Sequence, residues 1–373
     1  ASHILAEEHL PPFDRSCMDG YAVRATDTFG ASENSPAYLD LVGQSPIDCI
    51  PDLALEAGQC AGVVTGSFLP SGADGVVMVE HCRLLGEDML EVGRSIAPGE
   101  NVLYRGEDCE PGDTAVSAGA FLDSPRISLL AGLGIASAQV YNRPRVALIA
   151  TGDELVPAQQ TPRQAQIRDI NSHSLSCQTS RAGAVPVEYG IAADDLGQLK
   201  EVLQKACGEC DVVLVSGGSS VGARDLTLEA LQGLPEQELL AHGVSISPGK
   251  PTILARSGSV PLLGLPGQVA SAQVVFSVLV RPFLLRLQGM DTGLNPEPPR
   301  PEAELARNVA SRQGREDYVR VRLRREGESL LAEPLLGPSG LLRTLLEADG
   351  LIRIPENVEG LAQGRKVSIL PLE

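Results

Sequence analysis

The residues with the clearest chemical use stand in 211–225, DVVLVSGGSSVGARD. Residues 212–216 are an apolar run rich in β-branched side chains, which predicts a strand buried on both faces of a parallel sheet. The run stops at Gly217-Gly218, and Ser219, Ser220 and Asp225 follow before a helical pattern, LTLEALQGL. Glycines leaving the carboxyl end of a buried strand let backbone N–H groups approach a ligand with no Cβ in the way, and the next helix begins nearby with its positive dipole end. This is a pocket for an anion, and the same glycines also suit an ordinary tight βα turn.

Other chemistry-bearing groups fall at comparable places. Residues 146–150 predict a second buried strand, ending in Thr151-Gly152-Asp153-Glu154, and Asp194 and Asp195 follow a third strand at 185–189. Ser247-Pro248-Gly249-Lys250-Pro251 is a rigid loop with one cation, and Leu265-Pro266-Gly267-Gln268 leads into the last long helix; both are candidates for phosphate contact or plain surface loops. Earlier, 11–24 (PPFDRSCMDGYAVR) crowds Asp14, Arg15, Ser16 and Asp19 ahead of the turn residue Gly20, and VVTG places the Thr65 hydroxyl at a strand end.

These groups need a scaffold. From residue 145 strands and helices alternate, with helices at 172–181 and 196–206 and a long one from about residue 268, so the sheet is doubly wound and mostly parallel. In such a sheet the ligand crevice lies outside the carboxyl ends of the strands, where Glu154 and the Gly217 loop both fall. Residues 26–113 are short β runs between Gly, Pro, Asn and Asp, which predicts a turn-rich β domain. A helix is expected over 123–133 with Ser124 as N-cap and Pro125 at N1. After a proline-rich stretch at 294–301, period-two strands predict a small antiparallel β domain, with Arg315, Asp317 and Arg320 on a solvated face.

Composition narrows the function. The 373 residues call for two to four domains, and 43% hydrophobic content is globular. A formal charge of −18 and no Trp argue against nucleic acid as a partner. The longest apolar stretch, 269–287, is interrupted by Ser, Gln, Arg281 and Pro282, and the first residues lack a basic leader, so a cytoplasmic protein without a membrane partner is expected. Eight scattered cysteines suit reduced thiols; the Cys207/Cys210 pair has CxxC spacing without a second half-site, which favours a structural role.

Taken together, PPFDRSCMDGYAVR, VVTGSFLPSGADGVVMVE, GENVLYRGED, ATGDEL, IRDINS, DVVLVSGGSSVGARD, SPGKP, GLPGQVAS and GREDYVRVRL resemble, in one order, the MoeA and gephyrin E-domain family, the molybdopterin molybdenumtransferases. The resemblance implies a multidomain α/β plus β fold: an elongated part from 1–25 and 114–143, an inserted β domain at 26–113, a MogA-like α/β domain at 144–292 and a carboxyl-terminal antiparallel β barrel at 293–373. It implies a homodimer with shared clefts, and insertion of molybdate into adenylyl-molybdopterin with release of AMP and a need for Mg²⁺. A MogA-like adenylyltransferase and recipient molybdoenzymes would be its neighbours in the cell.

By position in the motifs, Gly217, Gly218 and Ser219 would cradle phosphates, and Glu154 and Asp225 would hold the metal. Asp19 and Thr65 would join them as catalytic residues from the β-domain side of the partner subunit. Asp194 or Asp195, Lys250, Pro266 and Gly267 would line the substrate path, and Arg315 and Ser339 would face the cleft from the last domain, Arg315 holding an oxyanion. Ser247 stands where the family pattern has a basic residue, leaving Lys250 as the nearest cation. Two other readings are a gephyrin-like scaffold with relaxed catalysis and an adenylyltransferase-like activity; the joint presence of Asp19, Thr65, Glu154, Asp225 and Arg315 favours the transferase over the first, and the flanking β domains favour it over the second.

Overall fold

A computed structural model of the chain describes residues 2–217, 226–290 and 300–372, and the chain divides into two compact units, Ala1–Val140 and Tyr141–Glu373. In the first unit the turn-rich segment makes a six-stranded sheet in the order Gly75–Met78, Gly20–Val23, Gln59–Val63, Ala37–Gln44, Met89–Val92, Cys82–Leu85. Period-two alternation splits its side chains: Val23, Cys60, Val77 and Leu90 pack on one face, Ala22, Ala61, Val63 and Val76 on the other. Gly20–Val23 is a central strand of this sheet, so the expected boundary between residues 25 and 26 falls just beyond it. The predicted helix is Ser124–Gly132, but its N-cap is Asp123. The Asp123 carboxylate accepts the Arg126 backbone N–H at 3.2 Å and pairs with the Arg126 guanidinium at 2.7 Å, two bonds that a serine hydroxyl at the next position cannot replace.

The second unit holds the alternating elements. Its sheet runs Val185–Ala192, Arg145–Thr151, Val212–Ser216, Val260–Leu265, Ile253–Ser257, Gln237–His242; the first three joints are parallel, and the last two are antiparallel because Ile253–Ser257 runs against its neighbours. Both faces are covered, as the unbroken apolar runs require. Ala147, Ile149, Val213 and Val215 meet the helices Leu196–Glu209 and Leu226–Gln232, while Val146, Leu148, Val212 and Leu214 meet Asn171–Arg181 and the long helical segment.

That segment is not one regular helix. It is built as Val269–Val275, a π turn at Phe276–Val280, and Arg281–Leu287. Pro282 lacks an N–H and its ring presses on the preceding turn, so the register widens just ahead of it. By length and apolar composition residues 269–287 are sufficient to cross a membrane. Here Val275, Phe276, Val280 and Leu284 are at most 1% exposed and fill the core beneath the sheet.

The carboxyl-terminal strands close on themselves. Glu316–Glu326 pairs with both Ser329–Pro334 and Gly350–Ile354, and Glu302–Leu305 and Lys366–Leu370 complete a five-stranded barrel. Four joints are antiparallel; Glu302–Leu305 meets Ser329–Pro334 in parallel. A short strand of the α/β layer, Ile246–Ser247, adds to the barrel alongside Glu316 and Asp317. The solvated face expected for Arg315, Asp317 and Arg320 is overturned for the last two: Asp317 is 6% and Arg320 7% exposed, while Arg315 is half-exposed. Closure turns alternate residues of this strand inward or under the 335–346 segment, and charges there need internal partners.

Candidate functional site

The order of the parallel strands locates the crevice. Val185–Ala192 lies on one side of Arg145–Thr151 and Val212–Ser216 on the other, so successive connections leave in opposite directions and the gap lies between the ends of Arg145–Thr151 and Val212–Ser216. Gly217 fills that gap with φ +102°; a Cβ there would run into the Thr151 carbonyl oxygen. Its N–H donates to Leu265 O at 3.3 Å and its carbonyl accepts the Thr227 hydroxyl at 3.2 Å. Gly267 follows on the next strand end, with its carbonyl accepting the Asn171 side-chain amide at 2.9 Å. Three strand ends and two helix starts are thereby tied around glycine backbone.

The acidic groups stand on the same edge. The Thr151 hydroxyl donates to Asp194 Oδ1 at 2.9 Å, and the Asp194 N–H donates to Asp153 Oδ1 at 3.0 Å. Glu154 is exposed and its carboxylate lies against Gly152, in the space a side chain there would take. These are hard oxygen donors of the kind Mg²⁺ prefers, which is the respect in which the edge fits a divalent cation. Among the described residues no three His, Cys, Asp or Glu side chains are grouped to hold a metal. Asp225, Gly218 and Ser219, expected to complete the set, lie outside the described residues. Asp195 serves the fold instead. It is the N-cap of Leu196–Glu209, and its carboxylate accepts the Gln198 N–H at 2.8 Å.

Ser339 reaches this edge through its backbone. Its carbonyl accepts the Ala270 N–H at 3.0 Å, satisfying one of the open donors at the start of the helix after Pro266-Gly267. The segment carrying Ser339 is held by Arg320, whose guanidinium donates to the Thr344 hydroxyl at 2.7 Å and to Gly337 O at 2.9 Å. Burial pulls the Arg320 guanidinium below its ordinary pKa, as expected for a cation taken from water. Arg315 is engaged within its own domain, with Nε 2.9 Å from Asp317 Oδ1, and Asp317 also accepts the Ser311 hydroxyl at 2.7 Å. Ser247 lies in the strand beside Asp317, and Lys250 is exposed three residues on. Thr151, Asp153, Asn171 and Arg320 were not expected to carry these roles; ATGDEL and IRDINS contained the first three, and Arg320 was hidden by its alternating, charge-rich strand.

In the first unit Asp19 and Thr65 do come together. Thr65 donates both its N–H, at 2.7 Å, and its hydroxyl, at 2.8 Å, to Asp19 Oδ1. The backbone bond first and the hydroxyl second hold the Asp19 carboxyl below its ordinary pKa. A depressed carboxylate stabilises the fold above its unfolded pKa, and that contribution fades as pH falls through the folded value. Thr65→Val therefore moves the Asp19 midpoint upward in a carboxyl-carbon NMR titration, and an unmoved midpoint would contradict the assignment to the hydroxyl.

All eight cysteines are free thiols, and burial, then Cys210, raises the Cys207 pKa, opposite to the shift of a reactive CxxC thiol.

Comparison with known proteins agrees with this geometry. Residues 1–134 match the MoeA N-terminal region (domain I and II), 147–286 a probable molybdopterin binding domain, and 302–372 the MoeA C-terminal region (domain IV). The chain belongs to the MoeA family. It is 33% identical to a Mycobacterium tuberculosis protein named molybdopterin molybdenumtransferase 2, over 99% of this chain and 91% of that one. With the Bacillus subtilis molybdopterin molybdenumtransferase identity is 30%, over 99% and 86%. The molybdopterin biosynthesis MoeA protein of Pyrococcus horikoshii OT3 superposes with TM-score 0.82 at 31% identity, covering 98% of this chain and 89% of that one. MoeA membership thus spans the β domain, the switch-point sheet and the barrel alike.

Proposed function

We infer that the chain is a molybdopterin molybdenumtransferase, which inserts molybdate into the dithiolene of adenylyl-molybdopterin, cleaves the phosphoanhydride and releases AMP. The observation that carries this is the glycine-lined switch point, where Gly217 backbone and the Glu154, Asp153 and Asp194 carboxylates share one edge, in a chain whose relatives bear that name. Backbone without side chains admits the pyrophosphate, and the first turn of the following helix favours its charge. The Ser339 segment restrains the opposite start at Ala270. A divalent cation, when bound, offsets the charge on the pyrophosphate and its leaving group. Glu154, with Asp225, would hold it; Asp194, fixed by Thr151, keeps Asp153 turned to the same edge. Molybdate is substrate, and a homodimer is the assembly the family resemblance implies.

The test is AMP release from adenylyl-molybdopterin with Mg²⁺, with and without molybdate. Molybdate-dependent release that falls about 100-fold or more in Glu154→Ala supports the reading, a loss of the size seen when one preorganised charge-stabilising group is removed. A folded native chain that releases no AMP overturns it.

A further inference from the structure

Asn171 opens the helix Asn171–Arg181 and is only 7% exposed. Its Nδ2 donates to Gly267 O at 2.9 Å, while Oδ1 is covered and has no hydrogen-bond partner among the described residues. Turning the amide over brings no relief, because Oδ1 would then face the Gly267 carbonyl, acceptor against acceptor. A buried acceptor without a donor weakens the fold, and an apolar side chain of similar shape would avoid that cost. Stability gives no reason for asparagine at this position; the bond to Gly267 does.

What that bond holds would otherwise turn easily. Gly267 and Gln268 are both exposed, Gly267 has no side chain to wedge it, and its carbonyl, once released, would meet water. With the carbonyl tied to Asn171, the trans peptide sends the Gln268 N–H the opposite way, away from the helix Asn171–Arg181. Among the described residues that N–H has no acceptor. It leaves beside the switch-point glycine, since a Cβ on Gly267 would stand 3.5 Å from the Gly217 α-carbon. Asn171 is a firm anchor for the purpose: the Ser174 hydroxyl donates to its carbonyl at 3.1 Å, and Asp169 Oδ1 accepts the neighbouring Ser172 N–H at 3.1 Å.

We propose that Asn171 is a positioning residue, which aims the Gln268 N–H, alongside the Gly217 backbone, at the pyrophosphate of the substrate. The identity of that anion rests on the transferase reading, whereas the coupling between Asn171 and the Gln268 N–H does not. A backbone N–H bound to a phosphate oxygen makes a charge-assisted bond, and it contributes most when the donor is oriented before the ligand arrives.

The experiment is a calorimetric titration of the full chain with inorganic pyrophosphate and Mg²⁺, beside a thermal melt. Asn171→Leu removes the donor and the unpaired acceptor together, so pyrophosphate is weakened about tenfold while the melting temperature stays within a few degrees of native. Gln268→Pro deletes the N–H itself. The native φ of −73° suits proline, so the fold is kept and binding again weakens about tenfold. Both changes act through one contact, and the double variant is therefore no weaker than either alone. Asn171→Ser, whose hydroxyl is too short to reach Gly267 O, repeats the single and double results where leucine does not fit. Native affinity in either single variant, losses that multiply in the double variant, or a native chain that does not bind pyrophosphate overturns the proposal. None of these readings uses AMP release: a chain that shows the coupling yet releases no AMP overturns the transferase reading alone.

Discussion

Gly217→Ala lowers the melting temperature of the second unit by about 6–12 °C, the shift that a loss of about 3 kcal/mol gives in a domain of this size. Two effects add. The φ of +102° is one that side chains rarely adopt, and the new methyl overlaps the Thr151 carbonyl oxygen, which is backbone and has no room to yield. Relief requires the ends of Arg145–Thr151 and Val212–Ser216 to part, stretching the Gly217 to Leu265 bond and the Thr227 bond together. AMP release falls with it, by about 100-fold or more, because the displaced backbone is the proposed cradle. Gly364→Ala is the control, since its φ is +78° with nothing within 4 Å of the added carbon; it shows the strain without the collision. Equal melting shifts in the two variants would sink the steric account.

Arg320→Met separates stability from positioning. Methionine keeps much of the length and removes the desolvation cost of the charge, which offsets part of the loss of the two hydrogen bonds. The melting temperature therefore falls by about 4–8 °C, the shift that a net loss of about 2 kcal/mol gives in a unit of this size. The 335–344 segment, however, loses two bonds from a charged donor, each about 1.5–3 kcal/mol. Ser339 is then no longer held against Ala270, and AMP release drops by about 100-fold or more. Arg320→Lys does not restore it, since one ammonium cannot reach both the Thr344 hydroxyl and the Gly337 carbonyl as a fork does. Native activity in Arg320→Met with an unchanged melting temperature would remove the positioning role.

Several features were open to inspection in the sequence. Unbroken β-branched runs ending in glycine or acid made the parallel strands 145–151 and 212–216 legible, because burial on both faces leaves no polar alternation to confuse the reading. Helix caps were harder. Asp123 and Ser124 are both good caps, and only the Arg126 guanidinium decides between them. Arg320 illustrates the general limit: a charged residue in an alternating strand reads as solvent-facing until closure of the barrel and the fold-back of 335–346 cover it.

The chain by itself determined the kinds of element, the glycine at the strand end, and the acidic groups that follow the strands, since local periodicity and backbone freedom are properties of neighbours in sequence. Tertiary structure alone decided which strand ends adjoin, that Thr151 fixes Asp194, and that a barrel residue steadies a segment at the sheet edge. Those contacts join residues far apart in the chain, 43 positions for Thr151 and Asp194 and 24 for Arg320 and Thr344, and only packing of the assembled layers sets such distances.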